Sequence, residues 1–419
     1  MSKKSRDNRP YLPPVTRIEL SEGNLRLRWI LLAVVVCIAV ASLAMGMHYV
    51  LTKEPGWQQV QSASTQLHCG EDFVFHYSCG NTGVSATAEY KSVTALYSRL
   101  TQDAYAIFSP ELESEIHNVC YLNAHVNENV TVEPALYHAL EQLVAYNCRI
   151  PFLASVVKEY SGVFLAQNDG EAALYDPTRD PERQGYVQEV LQFAADPAMV
   201  SLALLGDNEV RLKVDDAYLA YARQNDIHVF FDFGWMKNAF IADYLAENLM
   251  NSGYTNGYLA SFDGFTRNLD ARGTSYHANL FDRKGNTISM PAQLTYAGPM
   301  SLVFLRNYPL SEQDRWHYYA YEDGNVTSVY LDTHTGMPVS STDNLFTYSE
   351  SKSCGELLLE MAPIIFSAEF DENQLWMLEQ KGIHAVWAEG YTLKHTQSDA
   401  SVDLLTESGG EAYTLQYVK

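Results

Sequence analysis

The sequence FDFGWMKNAFIAD, from Phe231 to Asp243, is the stretch that decides the fold prediction. The run Asp226–Phe233 predicts a buried strand, and the apolar stripe that follows predicts a helix. The members of that stripe are Ile241, Tyr244, Leu245 and Leu249. Gly234 is therefore expected where a strand turns into a helix, and backbone N–H groups at a helix start can hold a phosphate. Taken alone, the stretch is more typical of an ordinary strand–helix junction with Asp243 on a solvated face.

A second stretch, YLDTHTGMPV, runs from Tyr330 to Val339. Together and in this order, the two stretches resemble two hallmark motifs of the FAD:protein FMN transferases, the ApbE family. The first family motif reads roughly Asp-Leu-Gly-Gly-x-Ala-Lys-Gly-Tyr-x-x-Asp, and the second reads His-x-x-Asp-Pro-x-Thr-Gly-x-Pro. The positions that this chain keeps are Asp232, Gly234, Asp243, Asp332, Thr335, Gly336 and Pro338.

Several positions of the two motifs carry other residues in this chain. Trp235 replaces the second glycine of the first motif, and Val329 stands at the histidine of the second. Thr333 replaces the proline. Asn238 falls at the lysine position, while Lys237 comes one residue early, and on a helix that shift rotates a side chain by about 100°. Because the family uses several of these positions for chemistry, we expect weak FAD binding and slow or absent transfer.

Two weaker resemblances accompany the motifs. The segment Ser114–His117, followed by Asn123, is similar to the family's Ser-Glu-Ile-x-x-Leu-Asn with a longer gap, and a surface turn is an equally good interpretation. The segment Phe262–Gly264 stands where the family has Leu-Gly-Gly, so that Gly264 is the surviving glycine. Asp263 adds a negative charge that would repel the pyrophosphate of FAD. Taken alone, an Asp-Gly pair indicates a common turn.

A metal site is predicted on the helix that begins near Gly355. Glu356 and Glu360 have the i, i+4 spacing of the Asp and Thr that bind Mg²⁺ in the family. Two carboxylates on one helix face suit a hard cation, which takes oxygen ligands. The alternative is a solvated helix face without a metal.

The resemblance implies an α+β, two-lobed, flavinyltransferase-like domain. It implies cleavage of the pyrophosphate of FAD, transfer of FMN to a Thr or Ser of an extracytoplasmic flavoprotein acceptor, and release of AMP with the help of Mg²⁺. It assigns the transfer centre to Asp332 and Thr335. The residues that it assigns to FAD are Asn123, Asp232, Gly234, Lys237, Asn238, Asp243, Gly264 and Gly336. The alternatives are a protein of the same fold that binds flavin or a partner without catalysis, and a structural ectodomain without a ligand.

Charge is distributed unevenly along the 419 residues. The formal net charge is -23, and residues 1–28 hold seven Lys or Arg against three Asp or Glu, which leaves -27 for the remainder. Such an acidic surface repels phosphate backbones, so nucleic acid is not an expected partner.

The segment Trp29–Thr52 contains no Asp, Glu, Lys or Arg and predicts a transmembrane helix. Arg26 and Arg28 precede it, and the positive-inside rule then places the N-terminus in the cytoplasm. The predicted organisation is a basic tail (1–28), a membrane helix (29–52), a polar stalk (53–68) and an extracytoplasmic domain (69–419). A cleaved signal peptide is the alternative.

Local signals also bear on the fold class. The segments Arg283–Asn286 and Asp323–Asn325 are turn signals between alternating runs, and Pro134 begins a helical pattern. Strands grouped as hairpins, with separate helices, predict an α+β domain. Cys69 and Cys79 are close enough in sequence to staple a hairpin, and buried free thiols are an equally good interpretation.

Overall fold

The computed structural model describes residues 25–51, 53–405 and 412–418. The chain divides into two compact units, Met1–Lys53 and Glu54–Lys419. The predicted basic tail lies largely outside the described residues.

The described part of the first unit is one helix, α1 (Leu25–Leu51). Its segment Trp29–Met47 is long and apolar enough to cross a membrane. This criterion concerns length and composition alone, and a signal sequence meets it as well. The helix therefore has the length and the apolar composition that the predicted membrane span requires.

The second unit alternates helices and strands. Its helices are α2 (Ala86–Phe108), α3 (Val119–Ala124), α4 (Pro134–Ala145), α5 (Ala154–Leu165), α6 (Asp169–Tyr175), α7 (Pro181–Ala194), α8 (Asp216–Gln224), α9 (Lys237–Asn251), α10 (Cys354–Ile365) and α11 (Glu372–Glu379). Its strands are β1 (Gly56–Val60), β2 (Phe73–Cys79), β3 (Val130–Thr131), β4 (Val200–Gly206), β5 (Glu209–Val214), β6 (Gly257–Ser261), β7 (Phe265–Asn268), β8 (Ser275–Lys284), β9 (Thr287–Ala297), β10 (Met300–Arg306), β11 (Tyr318–Ala320), β12 (Val326–Ser328), β13 (Asn344–Ser349), β14 (His384–Glu389), β15 (Thr392–His395), β16 (Ser401–Leu404) and β17 (Thr414–Tyr417).

A nine-stranded sheet organises the second unit, in the order β1-β2-β6-β7-β10-β13-β14-β15-β17. Its neighbours are antiparallel except β15 and β17. Side chains alternate between the two faces of a strand. On β10, Val303 and Leu305 join the main core with α2, α9 and α10, while Leu302 and Phe304 join a second core under the three-stranded sheet β16-β9-β8. The α+β prediction is therefore confirmed, and both faces of the sheet are covered.

The predicted stalk and the predicted hairpin staple both need correction. Strand β1 lies within residues 53–68 and pairs with β2, so the folded unit begins before Cys69. Cys69 and Cys79 are buried and form no disulfide with each other, and burial raises the pKa of Cys69 to about 12. Because β2 runs extended between them, at about 3.3 Å per residue, the two sulfur atoms cannot meet.

Candidate functional site

The segment before α9 is irregular, although the sequence predicts a strand at Asp226–Phe233. The side chain of Asn123 supplies the partners that a neighbouring strand would otherwise give. Its Nδ2 donates to the carbonyls of Phe231 (2.8 Å) and Val119 (3.0 Å), and its Oδ1 accepts from the N–H groups of Phe230 (2.7 Å) and Phe231 (3.0 Å). An amide side chain has two donors and two acceptor sites, so Asn123 is fully used in holding this segment.

Asp232 and Gly234 form the turn that leads into α9. Gly234 has φ of +53°, a left-handed conformation that favours glycine, and its N–H donates to Asp232 Oδ1 at 3.0 Å. Burial raises the pKa of Asp232, while the Gly234 N–H and the charge of Lys237 oppose the shift. The N–H group that the sequence predicts for a phosphate therefore already has a carboxylate partner.

Trp235, at the second glycine position of the first motif, joins that motif to the second. Its indole is only 8% exposed and packs edge-on against the rings of Tyr330 (centroids 4.8 Å apart) and Phe366 (5.2 Å). The two motif stretches therefore do meet in space. A side chain fills the position at which a glycine would leave the backbone open to a ligand.

Asn238, at the lysine position of the first motif, faces the turn at Asp263. Its Nδ2 donates to Asp263 Oδ2 at 2.9 Å, and Asp263 is only 8% exposed. Lys237 makes no ion pair in the described part of the chain, yet its charge acts on Asp72 and Asp232 and opposes the rise that desolvation causes in the pKa of each. Lys237 thus interacts with two carboxylates, and a third, that of Asp263, acts on Asp72; this concentration of acidic groups disfavours an anionic ligand.

The glycine of the Asp-Gly turn is required by a close contact within the protein. Gly264 has φ of +110°, and a Cβ atom there would lie 2.3 Å from the carbonyl oxygen of Phe304 and 3.0 Å from Nη1 of Arg306. Arg306 is 1% exposed, pairs with the buried Asp314 and donates to the carbonyl of Phe262 at 2.9 Å. Strand β10 and its arginine therefore occupy the space into which a side chain at position 264 would point, which accounts for the glycine without a nucleotide.

Sequence reasoning missed Arg306. The signal that could have found it is a lone charge at the end of the apolar run Met300–Leu305, with Asp314 following on the same connection. A buried arginine needs a charged partner and carbonyl acceptors, and here it has both.

Asp243 caps a helix instead of facing solvent or a ligand. Its carboxylate accepts from the N–H groups of Cys354 (2.9 Å) and Gly355 (2.8 Å), at the start of α10, and from Nη1 of Arg267 (2.7 Å). A carboxylate at a helix N-terminus satisfies orphan donors and the positive end of the helix dipole. Asp243 therefore ties α9 to α10.

Glu356 and Glu360 already have cationic partners. Glu356 forms a capping box with Ser353 and pairs with Lys352 at 2.9 Å, while Glu360 pairs with Lys381 at 2.6 Å. Among the described residues, no group of three His, Cys, Asp or Glu is arranged to hold a metal ion. With a lysine on each carboxylate and no third ligand, the pair as arranged does not fit Mg²⁺.

Asp332 and Thr335 shape the turn of the second motif. Asp332 Oδ1 accepts from the N–H groups of His334 (2.6 Å) and Thr335 (2.9 Å), and Thr335 Oγ1 accepts from that of Met337 (3.3 Å). The carbonyl of Gly336 accepts from the hydroxyl of Tyr160 at 2.9 Å, which pins the turn to α5. Such side-chain to backbone bonds are those of an Asx-turn, so both polar side chains hold the loop.

No protein-family model and no curated protein sequence matches this chain. Solved structures do match it. The ApbE protein of Thermotoga maritima superposes with a TM-score of 0.54 at 12% identity, over 83% of this chain and 96% of that one. The flavin transferase ApbE of Vibrio cholerae gives 0.54 and 12%, over 84% of this chain and 97% of that one. The chain has the ApbE fold.

The ApbE fold brings the predicted stretches together around the start of α9, and four of the predicted residues line cavities among the described residues. Gly264 lines a cavity of about 590 Å³, Glu356 one of about 560 Å³, Asp243 one of about 380 Å³ and Asp332 one of about 440 Å³. These four residues line four cavities, of which those of Glu356 and Asp243 adjoin each other through His138, Gln142 and Glu247.

Proposed function

We propose that this protein is a membrane-anchored member of the ApbE fold class that binds FAD weakly and transfers FMN slowly or not at all. The proposal rests on one observation: the motif residues that this chain retains form hydrogen bonds with the protein's own backbone. The carboxylates of Asp232, Asp243 and Asp332 each accept backbone N–H groups, and the amide of Asn123 is saturated by backbone. Each of these polar groups therefore has a role in holding the protein's own backbone, which accounts for its presence without a nucleotide.

Transfer of FMN requires charge neutralisation that this site lacks. In the reaction, the acceptor hydroxyl oxygen bonds to the FMN phosphorus, the pyrophosphate bond breaks, and AMP leaves with the bridging oxygen. Cations normally stabilise the developing charge. Here the charge of Lys237 acts on the carboxylates of Asp72 and Asp232, and the predicted Mg²⁺ ligands Glu356 and Glu360 are paired with lysines.

The location and partners follow from the N-terminal segment. The apolar part of α1 suits a single membrane span, and Arg26 and Arg28 before it favour a cytoplasmic N-terminus. The ApbE-fold unit would then face the extracytoplasmic side, together with FAD and any flavoprotein acceptor. Exclusion of nucleic acid rests on the net charge of -23.

A working FAD:protein FMN transferase is the second candidate. The observation that favours it is Lys237, whose ammonium has no ion-pair partner in the described part of the chain and lies close enough to act on Asp232. A rearrangement of the turn at Gly234 would be needed to bring that ammonium to a phosphate.

Equilibrium dialysis of FAD against the full chain in nanodiscs tests the binding half of the proposal. We expect weak FAD binding by the natural sequence and tighter FAD binding by Asn238→Lys. This variant adds a cation at the position where the family has lysine, and it removes the hydrogen bond from Asn238 to Asp263. Asn248→Lys, later on α9, is the matched control and should leave binding unchanged. Tight binding by the natural sequence, unaffected by Asn238→Lys, would contradict the proposal.

A further inference from the structure

A second cavity of ligand size lies on the face of the nine-stranded sheet opposite α9. Alternation along the strands points His76 of β2, Tyr258 of β6 and Phe304 of β10 away from the main core and towards β8. The space between them measures about 590 Å³, within the range of about 300–1,000 Å³ that small-molecule sites occupy. It shares only Gly264 with the residues predicted to bind FAD.

One side of this cavity is a wall of aromatic rings. The rings of His76 and Tyr258 stack with centroids 5.3 Å apart, and those of Tyr276 and Tyr296 stack at 5.8 Å. Trp57 of β1 meets Tyr276 edge-on at 6.0 Å and is 45% exposed. A large aromatic surface left accessible beside a cavity offers stacking area to a flat ring.

The same wall carries polar groups without partners. In the described part of the chain, the hydroxyls of Tyr258 and Tyr296 and the imidazole of His76 line the cavity and make no hydrogen bond. The hydroxyl of Tyr276, by contrast, donates to Asp270 at 2.6 Å. Convergent polar groups on an otherwise apolar lining are what orient a ligand in a small-molecule site.

The lining is close to electrically neutral. Arg306, at the end near the Gly264 turn, is its one permanently charged side chain, and its guanidinium is paired with Asp314. Two histidines also line the space: burial lowers the pKa of His76, and the ring of His277 contacts the hydroxyl of Thr295 at 2.9 Å. The cavity therefore offers an anionic ligand no free cation.

We propose that this cavity binds an uncharged planar heteroaromatic molecule. Its ring stacks on the accessible face of the wall beside Trp57, and its polar edge exchanges hydrogen bonds with Tyr258, Tyr296 and His76. The inference goes beyond the proposed function, because it concerns the other face of the sheet and involves no nucleotide phosphate.

The test is equilibrium dialysis of 2-quinolinone against the full chain in nanodiscs, corrected with empty nanodiscs. This probe is neutral and flat and has one N–H donor and one carbonyl acceptor. Quinoline-2-carboxylate has the same two rings and a negative charge. We expect saturable binding of 2-quinolinone and binding of the carboxylate weaker by about tenfold or more, because no free cation compensates its desolvation. Absence of saturable 2-quinolinone binding, or equal binding of the two probes, would overturn the proposal.

Variants then locate the bound probe. Tyr258→Phe and Tyr296→Phe keep the rings and remove one hydrogen bond each, so each should weaken binding about fivefold. Trp57→Ala removes exposed ring surface and should weaken it about tenfold. Tyr417→Phe, an exposed tyrosine on β17, is the control and should have no effect. If the three wall variants bind like the control, the cavity is not the site. FAD binding and AMP release do not enter these readouts, so either proposal can fail without the other.

Discussion

The two faces of the nine-stranded sheet differ in how several of their polar side chains are used. On the α9 face, where the motif residues lie, Asn123 and Asp243 are engaged by backbone and side-chain partners inside the protein. On the other face, Tyr258 and Tyr296 line a cavity with hydroxyls that have no partner in the described part of the chain. The comparison teaches that a residue matching a motif can serve the fold, so the hydrogen bonds that it already makes must be counted before a ligand is assigned to it.

Among substitutions on the α9 face, we expect Asp243→Ala to cause the largest loss of unfolding free energy. The variant leaves the guanidinium of Arg267 and two N–H groups of α10 buried without an acceptor. Breaking a buried ion pair in this way costs about 3–5 kcal/mol of unfolding free energy. Urea unfolding of the full chain measures it, with the exposed Asp403→Ala as control. If Asp243→Ala lowers the unfolding free energy no more than the control does, Asp243 does not stabilise the fold as described.

We expect Gly264→Ala to cause the next largest loss of unfolding free energy. Its Cβ would lie 2.3 Å from the Phe304 carbonyl, and overpacking of this kind costs about 1–3 kcal/mol in addition to backbone strain. Gly56→Ala is the matched control, since Gly56 has a similar φ, of +118°, but open space around it. Equal losses of unfolding free energy in the two variants would show that strain alone, and not the contact with β10, requires the glycine.

A smaller and pH-dependent effect is expected for Glu356→Gln. Burial raises the pKa of Glu356, but the Ser353 N–H and Lys352 outweigh it and hold the pKa below its ordinary value. A depressed folded-state pKa means that the stabilisation is present above the unfolded-state pKa, about 4.3, and is lost as the pH falls through the folded-state value. The natural sequence should thus be about 1 kcal/mol more stable than Glu356→Gln near pH 7, with the difference shrinking in acid. A difference that grows in acid contradicts the assignment.

The smallest effect expected is that of Mg²⁺. Because lysines neutralise Glu356 and Glu360, adding Mg²⁺ should leave the melting temperature of the full chain unchanged. Thermal unfolding with and without the ion measures this. A stabilisation that disappears in the double variant Glu356→Ala/Glu360→Ala would instead restore the metal site that the spacing predicts.

Local signals predicted part of this fold. The helix opened by Pro134 and the hairpin turns at Arg283–Asn286 and Asp323–Asn325 are present as α4, β8–β9 and β11–β12. Their information lies within a few residues, where turn chemistry and periodicity operate.

Distant partners account for what the sequence did not predict. The strand expected before α9 is absent because Asn123 supplies its hydrogen bonds from more than a hundred positions away. The capping role of Asp243 depends on Cys354, 111 residues later in the chain. A carboxylate awaiting a phosphate or metal and one that caps a helix have the same sequence pattern, and only the fold distinguishes them.

Release of AMP from FAD by the full chain tests the central claim most directly. With Mg²⁺ present and the product measured by mass spectrometry, the account predicts no release above a protein-free control, or a slow one. Restoring the family pattern with Val329→His and Asn238→Lys should then raise the rate, since a positioned acid–base group contributes about 10²–10⁴-fold. Rapid, Mg²⁺-dependent release of AMP by the natural sequence would contradict the claim that its motif residues serve the fold and not the chemistry.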